Sequence, residues 1–148
     1  NDKRANKKPI YGLSLHSYVP TYFNPKNTML YVRRNMQNII VIIAIDRRAI
    51  YQEKSIFTDG NATSRQTKFY NSLIGLNELN WQCIKNEYWG DFEDGRRIKC
   101  AETLVYPKIN VFNFMKIYCY DIKAKREVER CLPENINFRV ELNSKYYF

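Results

Sequence analysis

The sequence predicts an α+β domain: a mixed or antiparallel sheet with short helices. Three observations carry this. Short β-branched or alternating runs recur at Asn38–Ile45, Ala101–Tyr106, Ile117–Tyr120 and Phe138–Leu142. The segments with helical spacing fall mostly between these runs, in the middle and later third. The composition is that of a packed chain, since 148 residues with 45% hydrophobic and 15% aromatic content can close one domain around a real core.

Taken in order, the chain opens as a basic arm with Lys3, Arg4, Lys7 and Lys8. It has no initiator Met and no large apolar residue before Ile10, so the start reads as the interior of a longer chain. From Leu13 to Leu30, Pro20 and Pro25 fall among Tyr18, Tyr22 and Phe23, which predicts extended or turning backbone rather than helix. Asn38–Ile45 is almost wholly apolar and predicts a central strand covered on both faces. Phe57-Thr58-Asp59-Gly60-Asn61-Ala62 has turn chemistry, because Asp, Gly and Asn accept tight bends. Thr63–Leu73 and Trp81–Tyr88 are compatible with helix, and Gly90–Gly95 reads as an acidic loop. Ala101–Tyr106 alternates as a strand does, Ile117–Tyr120 is a further short strand, Lys123–Leu132 a charged helix, and Phe138–Leu142 the last strand.

Charge narrows the function classes. The 24 Lys and Arg against 15 Asp and Glu give a formal net charge of +9, which suits a polyanionic partner, nucleic acid above all. No apolar run approaches the roughly 20 residues of a membrane helix. No signal peptide is visible. Cysteines at 83, 100, 119 and 131 form no close pair and there is one histidine, so neither a zinc site nor a disulfide scaffold is expected. A reducing, cytoplasmic setting follows. Glycine-loop fingerprints for dinucleotides or triphosphates are missing.

Two constellations could carry chemistry. Glu102 shares its strand face with Leu104 and Tyr106, and a carboxylate on an apolar face is costly unless partnered or used. A basic run, Arg96, Arg97 and Lys99, leads into it. The plain alternative is an ion pair on a half-exposed surface. Around Tyr18 to Arg34, aromatics interleave with Lys26, Arg33 and Arg34. Rings stack on unpaired bases and cations neutralise phosphates. The plain alternative is that most of these rings are core. His16 alone implies no chemistry.

The stretch Leu15-His16-Ser17-Tyr18-Val19-Pro20-Thr21-Tyr22-Phe23-Asn24-Pro25-Lys26-Asn27-Thr28-Met29-Leu30-Tyr31 resembles the LHDYVPFYFxPRSPMLY segment of the DarT family of DNA ADP-ribosyltransferase toxins. Phe57–Ala62 resembles that family's FTDGNA. Phe69-Tyr70, then Leu73, Leu76, Leu79 and Trp81, then Tyr88-Trp89 and Asp91, resemble its middle, and Ala101-Glu102-Thr103-Leu104-Val105 resembles its AEFLV. The likeness runs in order through about Val105.

The resemblance implies that ADP-ribose passes from NAD to a base of single-stranded DNA, thymine above all, with Glu102 catalytic and no metal. It implies a macrodomain antitoxin of the DarG type as partner, and an upstream segment with a histidine that completes the NAD site. Lys26 stands where the family has an arginine, keeping the charge and losing the bidentate fork. It is expected to touch NAD or the reacting base. Arg33, Arg34, Arg96, Arg97 and Lys99 are the expected nucleic-acid contacts. Cys100 stands where many members have Gln, which leaves open an RNA- or guanine-directed transferase. A basic binding module without catalysis is the reading outside the enzyme class.

Overall fold

The computed structural model describes residues 2–133 and 138–148. Five α-helices and seven strands occur among them, joined by short 3-10 turns. In chain order these are α1 (Asp2–Asn6), β1 (Val19–Tyr22), α2 (Thr28–Val32), β2 (Val41–Ile45), β3 (Ile56–Thr58), β4 (Phe69–Tyr70), α3 (Trp81–Lys85), α4 (Gly95–Ile98), β5 (Glu102–Val105), β6 (Phe114–Cys119), α5 (Ile122–Cys131) and β7 (Arg139–Leu142). The α+β expectation holds, with one antiparallel and one mixed sheet.

The first sheet has the order β1-β5-β3-β4, all antiparallel. Strand β5 is therefore internal, flanked by β1 and β3, and every one of its residues is buried. That burial on both faces explains its composition of Thr103, Leu104 and Val105, and it makes Glu102 the exception. The core beneath this sheet is Leu15, Tyr18, Ile56, Ala62 and Leu104.

The second sheet has the order β2-β6-β7. β6 and β7 run parallel, so the chain must cross over between them, and α5 lies in that crossover. Its apolar positions Ala124 and Val128 fall four apart, with Leu132 four further on, and they pack on Ile117, Cys119 and Val140. Asp121 caps this helix by accepting the Ala124 N–H at 2.8 Å. No helix of the described residues is long and apolar enough to cross a membrane.

Three sequence expectations are corrected. Asn38–Ile45 was to be a central strand covered on both faces; instead β2 is a sheet edge, with Val41 39%, Ile43 40% and neighbouring Ile39 70% exposed. Apolar content reports strand preference, not how many neighbours the strand acquires. Thr63–Leu73 is not helical: it is a turn followed by the two residues of β4. Its polar side chains and amides satisfy the chain locally, with the Thr67 hydroxyl donating to the Asn61 carbonyl at 2.6 Å and the Ser64 N–H to the same carbonyl at 2.9 Å. The stretch through Leu30 is extended at β1 but turns helical from Thr28, because the Asn27 side chain accepts the Met29 and Leu30 N–H groups at 3.0 Å each.

The C-terminal residues close the second sheet. Tyr147 is 1% exposed, and its hydroxyl donates to the Ile40 or Tyr118 carbonyl, at 3.1 and 2.8 Å. Replacing Tyr147 by Phe keeps the ring and leaves these carbonyls without their donor. Stability should fall by about 1–2 kcal/mol, read as an earlier denaturant midpoint at unchanged slope.

Candidate active site

Glu102 is held by two elements that converge on β5. The Asp59–Ala62 turn docks against α4: the Arg97 guanidinium donates to Asp59 Oδ1 at 2.7 Å, while the Asn61 N–H donates to the Arg97 carbonyl at 3.0 Å. Gly60 is required by this close approach, since a Cβ there would meet Arg97 Nη1 at 2.4 Å and the Arg97 carbonyl at 2.9 Å. The turn thereby aims the Ala62 N–H at Glu102 Oε1, 3.0 Å away. Thr58 locks the backbone, its hydroxyl accepting the Glu102 N–H at 3.0 Å and donating to the Gly60 carbonyl at 2.7 Å.

The Glu102 carboxylate is 2% exposed, and its second oxygen, Oε2, is buried without a hydrogen-bond partner among the described residues. Burial raises its pKa, and the Ala62 N–H and the Arg4 charge pull it back down. A desolvated acceptor left open is costly in a purely structural role. It is suited to bind a group that arrives from outside.

Arg4 is a site residue that sequence reasoning missed. Helix α1 brings its Nη1 to 3.9 Å from Glu102 Oε1, and its Nη2 donates to the Leu15 carbonyl at 3.4 Å. The Ser14 hydroxyl fixes the same turn by donating to the Arg4 carbonyl at 3.3 Å. In sequence Arg4 was one cation in a basic arm, and no local signal joins it to a residue 98 positions away. Tyr22 was likewise unassigned. It pairs directly opposite Glu102 across β1 and β5. Desolvation of its hydroxyl, then the Glu102 charge, pushes its pKa up to about 12, so the phenol stays protonated and able to donate.

The other expected site residues are distributed unevenly. Lys26 lies in the loop after β1, with Nζ 2.9 Å from Glu87 Oε1 and 5.4 Å from the Phe148 ring. Arg33, Arg34 and Arg96 are exposed. Lys99 is 0% exposed, and its ammonium donates to the Ile84 and Asn86 carbonyls, which corrects the expected nucleic-acid contact: it is an interior post. Its fully covered position and two carbonyl acceptors leave nothing for a phosphate. Arg97 is half-buried, and its guanidinium pairs with Asp59 and Asp94. Cys100 is 2% exposed and its thiol sits 2.9 Å from the Thr28 hydroxyl, tying α2 to the entrance of β5.

Comparison with known proteins shows the family and the fold. The family model described as ssDNA thymidine ADP-ribosyltransferase, DarT, matches residues 1–148. The DNA ADP-ribosyl transferase of Thermus sp. (strain 2.9) is 30% identical over 157 aligned residues, covering 98% of this chain and 75% of that protein. A solved structure of the Thermus sp. 2.9 protein in complex with ADP-ribosylated ssDNA superposes with a TM-score of 0.89 at 28% identity, over 99% of this chain and 77% of that one. Its complex with NAD+ superposes with a TM-score of 0.85 at 28% identity, over 100% and 80%. A DNA ADP-ribosyl transferase–DNA ADP-ribosyl glycohydrolase fusion protein of Thermosipho africanus is 27% identical over 99% of this chain and 38% of that protein. The chain belongs to the DarT family of NAD-dependent single-stranded-DNA ADP-ribosyltransferases.

Proposed function

We propose that Glu102 is the catalytic carboxylate of a transfer of ADP-ribose from NAD to thymine in single-stranded DNA. The observation that carries this is the open, buried Oε2 beside Arg4 and Tyr22. In the transfer the bond between nicotinamide nitrogen and ribose C1′ breaks, and a bond from the base nitrogen to C1′ forms. Positive charge grows on the ribose between the two events. A carboxylate fixed beside it, already dehydrated and needing no reorganisation, stabilises that charge. The proton displaced from the attacking nitrogen passes to a base in the site, and Glu102, with its pKa raised by burial, is suited to accept it. Arg4 faces the same carboxylate as a fixed cation, suited to an NAD phosphate or to a carbonyl oxygen of the base.

The bound base must be out of a duplex for its reacting edge to be reached, so single strands are the substrate form. A second protein bearing a glycohydrolase domain, of the macrodomain antitoxin type, removes the modification. The setting is cytoplasmic, where NAD and nucleic acid meet. The test is a set of oligomers of defined base content, in DNA and RNA, incubated with NAD. Thymine-containing single-stranded DNA should gain the mass of one ADP-ribose as one nicotinamide is released. Modification of guanine or RNA instead would reassign the acceptor. Absence of NAD binding by calorimetry would leave only a basic binding module.

Lys26 contributes from the loop beside the site. Lys26→Ala is expected to lower transfer about 10-fold, the scale of one charge-assisted contact. Folding should survive, because its partner Glu87 has a side chain 61% exposed and is hydrated when left alone. Wild-type turnover in this variant would make Lys26 a surface charge only.

A further inference from the structure

Three aromatic rings from distant parts of the chain meet at one corner. Tyr31 of α2, Trp89 of the loop after α3, and Phe148 at the far end of the sequence pack mutually edge to face. Tyr31 lies 5.2 Å from Trp89 and 5.2 Å from Phe148, and Trp89 lies 6.0 Å from Phe148, centroid to centroid. None of the three belongs to a core cluster, and Tyr31 is 39% exposed. Rings needed only for stability are drawn into a core, whereas these are assembled and left part-open to water.

The cluster is also anchored through its backbone. Buried Gln37 donates to the Phe148 carbonyl at 2.7 Å and accepts the Phe148 N–H, which fixes that ring through its backbone. Gly95 lets the Trp89 carbonyl approach to where a Cβ would sit only 2.0 Å away. Asn27 caps the helix that carries Tyr31. Cations line the corner: the Arg34 guanidinium stacks 4.3 Å from the Tyr31 ring, Arg33 is exposed beside it, and Lys26 stands over Phe148. Glu87 pairs with Lys26, and exposed Asp91 and Glu93 follow Trp89 in its loop. The corner joins the Glu102 site through α2, whose Thr28 hydroxyl meets Cys100 two residues before Glu102.

We infer that Tyr31, Trp89 and Phe148 form a stacking subsite for one unpaired base of the bound strand, adjacent to the base being modified, with Arg33 and Arg34 facing the neighbouring phosphates. This rests on the transferase reading for the identity of the strand. The chemistry fits a nucleobase: part-exposed, preorganised ring faces supply stacking that any base accepts, and the cations supply charge complementary to the backbone. A subsite of this kind holds the strand in register so that a single base reaches Glu102.

The test is binding without NAD, so that it does not depend on transfer. Fluorescence anisotropy would follow the full chain with a thymine-containing single strand, and with the same strand carrying one abasic site at each position flanking the thymine. Tyr31→Ala and Trp89→Ala should each weaken binding of the intact strand about 10-fold, within the range of one stacked base. In the wild type one flanking abasic site should cause the same loss, and in the alanine variants that loss should disappear. Tyr31→Phe and Trp89→Phe, which keep a ring, should bind as wild type. If an alanine variant melts early, the leucine variant, which keeps bulk without a ring, takes its place. A flat abasic scan, or an abasic penalty undiminished in the ring-less variants, overturns the subsite. A strand bound with the expected pattern yet never modified would sink the transferase reading and leave the subsite standing; a strand modified with no ring-dependent position would do the reverse.

Discussion

Glu102→Gln is expected to lower turnover by at least about 100-fold while the protein melts no earlier than wild type at neutral pH. The side chain keeps its shape and its acceptor for the Ala62 N–H, so the backbone of the site should not move. What it loses is charge and basicity, the two properties that the chemistry needs. Stability should respond in the opposite sense to activity. Burial raises the folded pKa of Glu102 above its unfolded value of about 4.3. Such a group contributes its stabilisation below the unfolded pKa, and loses it as pH rises through the folded pKa. At neutral pH the ionised carboxylate is therefore a net cost to the fold, and glutamine removes that cost. Melting curves of the two proteins should thus differ most above the folded pKa and converge in acid. Transfer to a thymine-containing single strand is measured beside them. A variant that melts normally and still modifies DNA near the wild-type rate would end the assignment of Glu102.

Arg4→Ala should produce the second largest loss, about 10- to 100-fold in transfer, with a displaced pH profile as its signature. Arg4 is one of two influences that hold the Glu102 pKa down. Without it the carboxyl keeps its proton to higher pH, and the acid limb of the rate profile moves upward. Arg4→Lys restores a cation without the planar fork, so the profile should return toward wild type while the rate recovers only in part. A rate that falls with no movement of the acid limb would place Arg4 in substrate binding alone. An unchanged rate would remove it from the site.

The sequence alone singled out Glu102 as the candidate catalytic carboxylate. Glu102 was legible because a carboxylate on an apolar strand face is costly unless partnered or used, and the ordered motifs around it, which resemble those of DarT, favoured that reading over an ion pair on a half-exposed surface. Turn chemistry read over Phe57–Ala62 was legible for Asp59–Ala62, with Phe57 and Thr58 in β3, and the helix read over Trp81–Tyr88 was legible as far as Lys85, for the same local reason: side chains that cap or bend the backbone act on their own neighbours. Only the tertiary structure decided who surrounds the carboxylate. Arg4 and Tyr22 reach it through α1 and through the register of β1 on β5, and Lys99, three residues before Glu102, turns inward despite its charge. Pairing of strands and burial of a lysine depend on contacts between residues dozens of positions apart, and periodicity along the chain carries no trace of them. The edge position of β2 is the same case, since Val41–Ile45 has the composition of a central strand and lacks only the neighbour that would make it one.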